Sequence, residues 1–319
     1  MTALTLFSPS GVIAEPAALK RAAKRLTAHG FDVRVDESAL AKHQRFAGDD
    51  AQRLSALHRV AAASPSVAMA TRGGYGLTRL LATIDWARIA RSVEQGTRWV
   101  GHSDFTAFQL ALLAHAPHAE QALSWAGPMA CFDFGRAVDK DNRAKPVAAV
   151  DDITEACFLE AMSGELEAVG FNESSAKSAQ VSFDGLHAKG RLWGGNLSML
   201  TSLLGTPHFP AASRIKGGLL FLEDVNEHPY RVERALLQLH QAGVLASQKA
   251  VLLGQFTDFK KSPLDRGYQL KSMVAYLRSV TTTPVLTGLP FGHVATKLSL
   301  PVGAKVELVV QGRQVLLGW

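Results

Sequence analysis

Between residues 3 and 114 short apolar runs alternate with segments of helical period, and no other feature of the chain narrows its fold as much. Residues 3–8 read as a strand, 15–28 as a helix ended by His29-Gly30, and 31–35 as a second strand. Residues 49–63 form a helical pattern with Leu54, Leu57 and Val60 on one face. A buried strand over 67–70 opens into Thr71-Arg72-Gly73-Gly74-Tyr75-Gly76, with a helix expected over 77–83. A strand over 97–100 then leads through a turn into a helix over 105–114. A β-α-β-α order buries its strands as a mostly parallel sheet with helices on both faces. Sites in such sheets gather at the carboxyl ends of the strands.

The 319 residues favour two domains, and 47% hydrophobic content supplies ample core. The composition shifts after Phe134, and Asp139-Lys-Asp-Asn-Arg-Ala-Lys-Pro146 is polar and ends in proline. That places a linker over 138–150, between an N-terminal α/β domain (1–137) and a C-terminal one (151–319). The second part reads as a helix over 153–162 and short alternating segments over 168–172 and 179–183. Gly190-Arg-Leu-Trp-Gly-Gly-Asn196 opens a helix through Leu204. Strands are expected over 218–222, 250–255 and 284–288, with helices over 230–242 and 262–280. Residues 305–310 and 313–317 flank Gln311-Gly312 as a terminal hairpin.

The net charge is +6, but the Lys and Arg residues are scattered with no run of five. Nucleic-acid binding needs a basic stripe, so a nucleic-acid partner is not expected; anionic small substrates remain compatible. Cys131 and Cys157 are too few for a disulfide framework and suit a reducing compartment. The first ten residues read as a strand and turn, not a signal peptide, and no apolar run is long enough to span a membrane. The expectation is a cytoplasmic protein without a membrane partner.

Val100-Gly101-His102-Ser103-Asp104-Phe105 is the segment richest in chemistry. A serine between a strand and a helix is held out of the backbone, where the next N–H can stabilise an oxyanion. The G-x-S-x-G elbow would have glycine at Phe105, and Ser103 or Asp104 could equally cap the helix. A serine nucleophile needs a base. His102 adjoins Ser103 but should point to the opposite face. His115 and His118 are three apart with no Asp, Glu or Cys to complete a ligand set, so no metal is expected. His58 and His240 sit within helical patterns. His293 lies in Gly288-Leu-Pro-Phe-Gly-His293, directly after a strand, where a loop side chain is well placed for catalysis.

In Phe221-Leu-Glu223-Asp224-Val-Asn-Glu227, Glu223 should end the strand and project at the sheet edge. Asp224 and Glu227 should lie at the start of the next helix, where carboxylates favour the dipole. Capping and catalysis both remain open for Glu223. The glycine run at 71–76 matches neither a dinucleotide fingerprint nor a P-loop, so no cofactor is implied. A tight turn presenting backbone N–H groups to an oxyanion fits it as well.

Arg72-Gly-Gly-Tyr-Gly76, Gly101-His-Ser103-Asp104, Gly194-Gly-Asn196, Leu222-Glu223-Asp224-Val-Asn-Glu227 and Gly292-His293, in this order, resemble the LD-carboxypeptidase family of serine peptidases. The resemblance covers nearly the whole chain. It implies an N-terminal parallel-sheet domain like that of class I glutamine amidotransferases and a family-specific C-terminal α/β domain. It also implies Ser103 as nucleophile, Glu223 as triad acid, His293 as general base, and the Gly74 and Asp104 N–H groups as oxyanion hole. The implied substrate is a murein stem tetrapeptide that loses its terminal D-alanine, acted on by a metal- and cofactor-free homodimer. Arg72 is by position a partner for the substrate carboxylate, or else a support for the glycine turn. A microcin-C immunity peptidase acting on an aminoacyl-nucleotide shares the triad; aromatic residues stacking an adenine would favour it, and the sequence does not assign Trp193, Trp125 or Phe132 to that role. A catalytically silent two-domain binding protein is the third reading.

Overall fold

The computed structural model describes residues 1–137, 150–174 and 182–319. In the first part, β1 (Thr2–Phe7), β2 (Phe31–Val35), β3 (Val67–Ala70), β4 (Arg98–Gly101) and β5 (Ser124–Ala126) are mutually parallel. Between them run α1 (Pro16–Ala28), α2 (Asp50–Ala63), α3 (Trp86–Glu94) and α4 (Phe105–His115). The expected doubly covered parallel sheet is therefore present. Asp49 begins α2 with a capping box, its carboxylate accepting from Gln52 N at 2.8 Å.

The expected helix over 77–83 is only a 3-10 turn, Leu77–Arg79. The true helix starts later, where Asp85 caps α3 by accepting from Arg88 N at 3.0 Å. Among these helices α4 is the most apolar, with Thr106 and Gln109 its only polar residues before His115, and Phe105 through Leu113 are all buried. A helix with no polar face must be covered on every side. Here it also touches the second half of the chain, because Thr106 accepts from Asn196 N at 3.0 Å.

That second half begins with α5 (Asp152–Ser163), whose Phe158, Ala161 and Met162 join the core beneath the first sheet, with Leu4, Val100 and Phe134. The second sheet holds β6 (Ala168–Asn172), β7 (His187–Asn196), β8 (Leu219–Val225), β9 (Ala250–Thr257) and β10 (Val285–Thr287). Then β11 (Leu300–Val302) returns to the first sheet, antiparallel to β5. The terminal hairpin of β12 (Lys305–Gln311) and β13 (Gln314–Gly318) forms as expected and completes the second sheet in the order β10-β9-β8-β7-β12-β13-β6. Helices α6 (Leu197–Leu203), α7 (Ala212–Ile215), α8 (Pro229–Gln241) and α9 (Leu270–Val280) complete the fold.

Three expectations need correction. The segment 190–196 is strand, not the start of a helix; α6 begins after it, capped by the Asn196 side chain. Its glycines are required there, since a Cβ at Gly194 (φ +131°) would stand 1.9 Å from the Phe221 carbonyl oxygen. The helix expected over 262–280 is broken at Arg266 and Gly267, both left-handed, so that only α9 remains. Strand β8 continues past Leu222 through a bulge to Val225 and keeps Glu223 inside the sheet. The linker expected over 138–150 and the segment 179–181 lie outside the described residues, apart from Val150, which is buried. Among the described residues no helix is long and apolar enough to cross a membrane.

Candidate active site

Ser103 sits in the turn between β4 and α4 with φ +63°, a left-handed conformation that a non-glycine side chain adopts only under constraint. The constraint comes from the glycine turn opposite. A Cβ at Gly73 would lie 2.7 Å from both Cβ and Oγ of Ser103, so only glycine admits the hydroxyl there. Gly73 also accepts from Gly11 N at 3.1 Å, which seats the turn against the loop after β1. Among the described residues neither the Gly74 nor the Asp104 N–H has an acceptor within the chain. Two free donors near one hydroxyl suit an oxyanion.

The capping alternative for Ser103 and Asp104 fails, because no side chain caps α4. Instead the buried Asp104 carboxylate accepts from Leu77 N at 3.0 Å and so fixes the glycine turn to the serine turn. Burial pushes this carboxyl above its ordinary value. The Arg72 guanidinium donates to the Val12 carbonyl at 2.8 Å, and its Nη2 lies 3.8 Å from where a Cβ at Gly74 would be.

The acidic partner is built from the other sheet. Glu223 is fully buried, accepts from His293 Nδ1 at 2.8 Å through Oε2, and accepts from Asn196 Nδ2 at 3.1 Å through Oε1. Gly292 (φ +139°) leaves room for this carboxylate, since a Cβ there would stand 3.2 Å from Oε2. Asp224, on the same strand, accepts from the Ser198 N–H and hydroxyl at 2.8 and 2.7 Å. It therefore holds the start of α6, not of the following helix α8, which His228 caps. Glu227 pairs with Arg231 on α8 and makes no bond to His293. Burial alone would lower the His293 pKa. The hydrogen bond and charge of Glu223, with the charge of Asp224, outweigh it; Lys297 opposes them, and the net shift is upward.

His102 donates through Nδ1 to the Gly127 carbonyl at 2.8 Å, its one hydrogen bond among the described residues. It does abut His293, with ring centroids 5.1 Å apart at 75°, so the His293 ring lies beside the turn that carries Ser103. Burial holds its pKa well below the ordinary histidine value and keeps the ring neutral. His115 bonds His208 at 2.9 Å and stacks on Trp86, while His118 is exposed. Among the described residues no three His, Cys, Asp or Glu side chains converge as metal ligands. The sequence reading gave no role to Asn196, Thr106, Asp133 or Lys297, which here orient the acid or the loop after His293. Only Asn196 carried a signal, as the residue that closes the Gly194-Gly-Asn196 motif.

A hydroxyl in a strained turn, two free N–H donors and an imidazole bonded to a buried carboxylate are the groups that acyl transfer requires. Comparison with known proteins identifies the lineage. Models of the LD-carboxypeptidase N-terminal and C-terminal domains match residues 4–120 and 189–308. The chain belongs to the LD-carboxypeptidase family. Its structure is similar to the crystal structure of muramoyltetrapeptide carboxypeptidase from Oxalobacter formigenes, with TM-score 0.84 and 38% identity, covering 99% of this chain and 98% of that one. It is 30% identical to the “Probable murein peptide carboxypeptidase” of Bacillus subtilis over 93% of this chain and 88% of that protein. The microcin C7 self-immunity protein MccF, in complex with aspartyl sulfamoyl adenosine, shares the fold at TM-score 0.81 and 20% identity, covering 100% of this chain and 96% of that one. In this LD-carboxypeptidase the Ser103 turn follows a strand of the first sheet, and Glu223 lies on a strand of the second.

Proposed function

We propose that this serine-type LD-carboxypeptidase hydrolyses the L,D-peptide bond that holds the terminal D-alanine of a cytoplasmic murein tetrapeptide, during cell-wall recycling. The observation that carries the proposal is the hydrogen bond from His293 Nδ1 to Glu223, beside the turn bearing Ser103. With its proton fixed on Nδ1, His293 offers the Nε2 lone pair as base. Ser103 Oγ attacks the scissile carbonyl, and its proton passes to His293. The Gly74 and Asp104 N–H groups hold the resulting oxyanion. Collapse transfers the proton from His293 to the departing D-alanine amine, and water, activated by the same imidazole, hydrolyses the acyl-serine. Glu223 stabilises the charged imidazolium throughout without taking its proton. We assign Arg72, beside the proposed oxyanion donor, to the terminal carboxylate of the substrate.

In this reading residues 1–137 supply the nucleophile and oxyanion hole, and residues 151–319 the acid and base. The N-terminal parallel sheet, with its nucleophile at a strand–helix turn, is the part we compare with class I glutamine amidotransferases. Two unpaired cysteines, Cys131 and Cys157, support a reducing cytoplasmic setting, and a homodimer follows from the family resemblance. Trp193 and Trp125 are buried, with the Trp193 indole N–H donating to Gln248, which weighs against their stacking a nucleobase.

Release of D-alanine from purified murein tetrapeptide tests the proposal. The D-Ala tetrapeptide should be cleaved, its L-Ala counterpart should not, and a stem ending in D-Ala-D-Ala should resist because its last bond is D,D. Activity should survive exhaustive EDTA. Comparable rates on all three peptides, or chelator loss restored by Zn²⁺, would overturn it.

A further inference from the structure

Lys297 lies four residues after His293 and is fully buried, as is its partner Asp133 but for a few per cent. Its ammonium donates to the Asp133 carboxylate and, at 2.6 Å, to the Val294 carbonyl. A buried ion pair is a weak source of stability, because desolvation offsets most of the attraction, so its position calls for another reason. Asp133 belongs to the single turn Ala130–Phe134 that follows β5, in the half of the molecule that carries the nucleophile. Its neighbour Phe132 stands edge-on to His293 at 6.1 Å and to His102 at 5.8 Å. The far side of the loop is tied to the start of α5. Thr154 Oγ1 donates to the Ala295 carbonyl and accepts from Lys297 N, both at 2.8 Å, and Thr296 donates to Asp151 at 2.8 Å.

We infer that Lys297 is a positioning residue for the reaction: clamped between Asp133 and the Val294 carbonyl, it holds the His293 ring beside the nucleophile turn and sets a positive charge against the carboxylates that face the ring. The groups around the ring are Glu223 and Asp224 on β8, His102 from the end of β4, and Lys297 on its own loop. Burial keeps His102 neutral, so it contributes no charge. The two carboxylates favour the imidazolium and Lys297 opposes them. Without that opposition the base would hold its proton to higher pH and be less available. The inference rests on His293 as general base, which His293→Ala tests independently.

The experiment follows the His293 imidazole by NMR titration, alongside kcat and KM across pH, in the parent, Lys297→Met and Asp133→Asn/Lys297→Met. In Lys297→Met the His293 midpoint and the acid limb of kcat/KM should both move to higher pH. Its kcat should fall about 10- to 100-fold through lost alignment, with KM little changed. In the double variant both charges leave together, so the midpoint should return toward the parent while kcat stays low. A Lys297→Met protein with the parent midpoint would overturn the inference, even with reduced kcat, since that is what a merely structural role predicts. Should Lys297→Met fail to fold, with Asp133 left unpaired, parent kcat in the neutral double variant would overturn it. Should the parent itself release no D-alanine, the functional proposal falls, while the titration still reads the effect of Lys297.

Discussion

The turn that carries Ser103 and the loop that carries His293 meet at one site but are specified in different ways. The first is stored in the backbone: Ser103 at φ +63°, Gly74 at φ +116°, and Gly73 pressed against the hydroxyl. The second is stored in side-chain hydrogen bonds that join distant segments: Glu223 to His293, Asn196 to Glu223, Lys297 to Asp133. A backbone-specified element keeps its shape when one side chain is trimmed. An element specified by side chains loses its orientation even under an isosteric exchange. The serine turn is therefore vulnerable at its glycines, and the His293 loop at its hydrogen-bonding side chains.

Ser103→Ala should produce the largest effect. Turnover should fall about 10³-fold or more while the melting temperature stays near that of the parent, as judged by D-alanine release and calorimetry. A mutant with near-normal release would break the comparison at its root. Glu223→Gln comes next, at roughly 10²–10⁴-fold, because the amide can present N–H₂ to the imidazole and favour the wrong tautomer. Its pH dependence has a definite sign. The base works when neutral, and Glu223 raises the His293 pKa against the lowering effect of burial. Replacing it should therefore move the acid limb of kcat/KM to lower pH, and an upward shift would contradict the assignment.

Gly74→Ala probes the backbone side. At φ +116° a Cβ would be strained and 3.3 Å from Gly11 Cα, displacing the proposed oxyanion donor. A loss of about 10²-fold in kcat with little change in KM is expected, and parent kcat would remove Gly74 from the oxyanion hole. Glu227→Gln marks the lower end of the scale. Its carboxylate serves Arg231 on α8, so turnover should be unchanged. Catalytic collapse there, beside a near-normal Glu223→Gln, would reverse the roles of the two acids.

The same contrast explains what the sequence made legible. Strands β1, β3 and β4 lie inside the sheet and read as apolar runs, β2 at its edge alternates, and the serine turn is a contiguous motif. By contrast β5 and β11 have three residues each, too short for any period to register. Glycines at 190, 194 and 195 masked β7, although Gly194 is what lets its backbone pass close to Phe221 on β8 and Gly195 leaves room for Thr106 on α4. Glu223 was visible as an acid at the end of an apolar run, but the bulge that keeps it within β8 was not. The Lys297–Asp133 pair joins residues 164 apart in sequence and left no local trace.

The central claim is that a serine on one sheet is activated by an acid–base pair from the other. Its most direct measurement is the rate of covalent labelling by a small fluorophosphonate, read by intact mass and peptide mapping in the parent, Ser103→Ala and Glu223→Gln. The account predicts a single adduct at Ser103, none in Ser103→Ala, and much slower labelling in Glu223→Gln. An adduct at another residue, or equal labelling rates in the parent and Glu223→Gln, would contradict it.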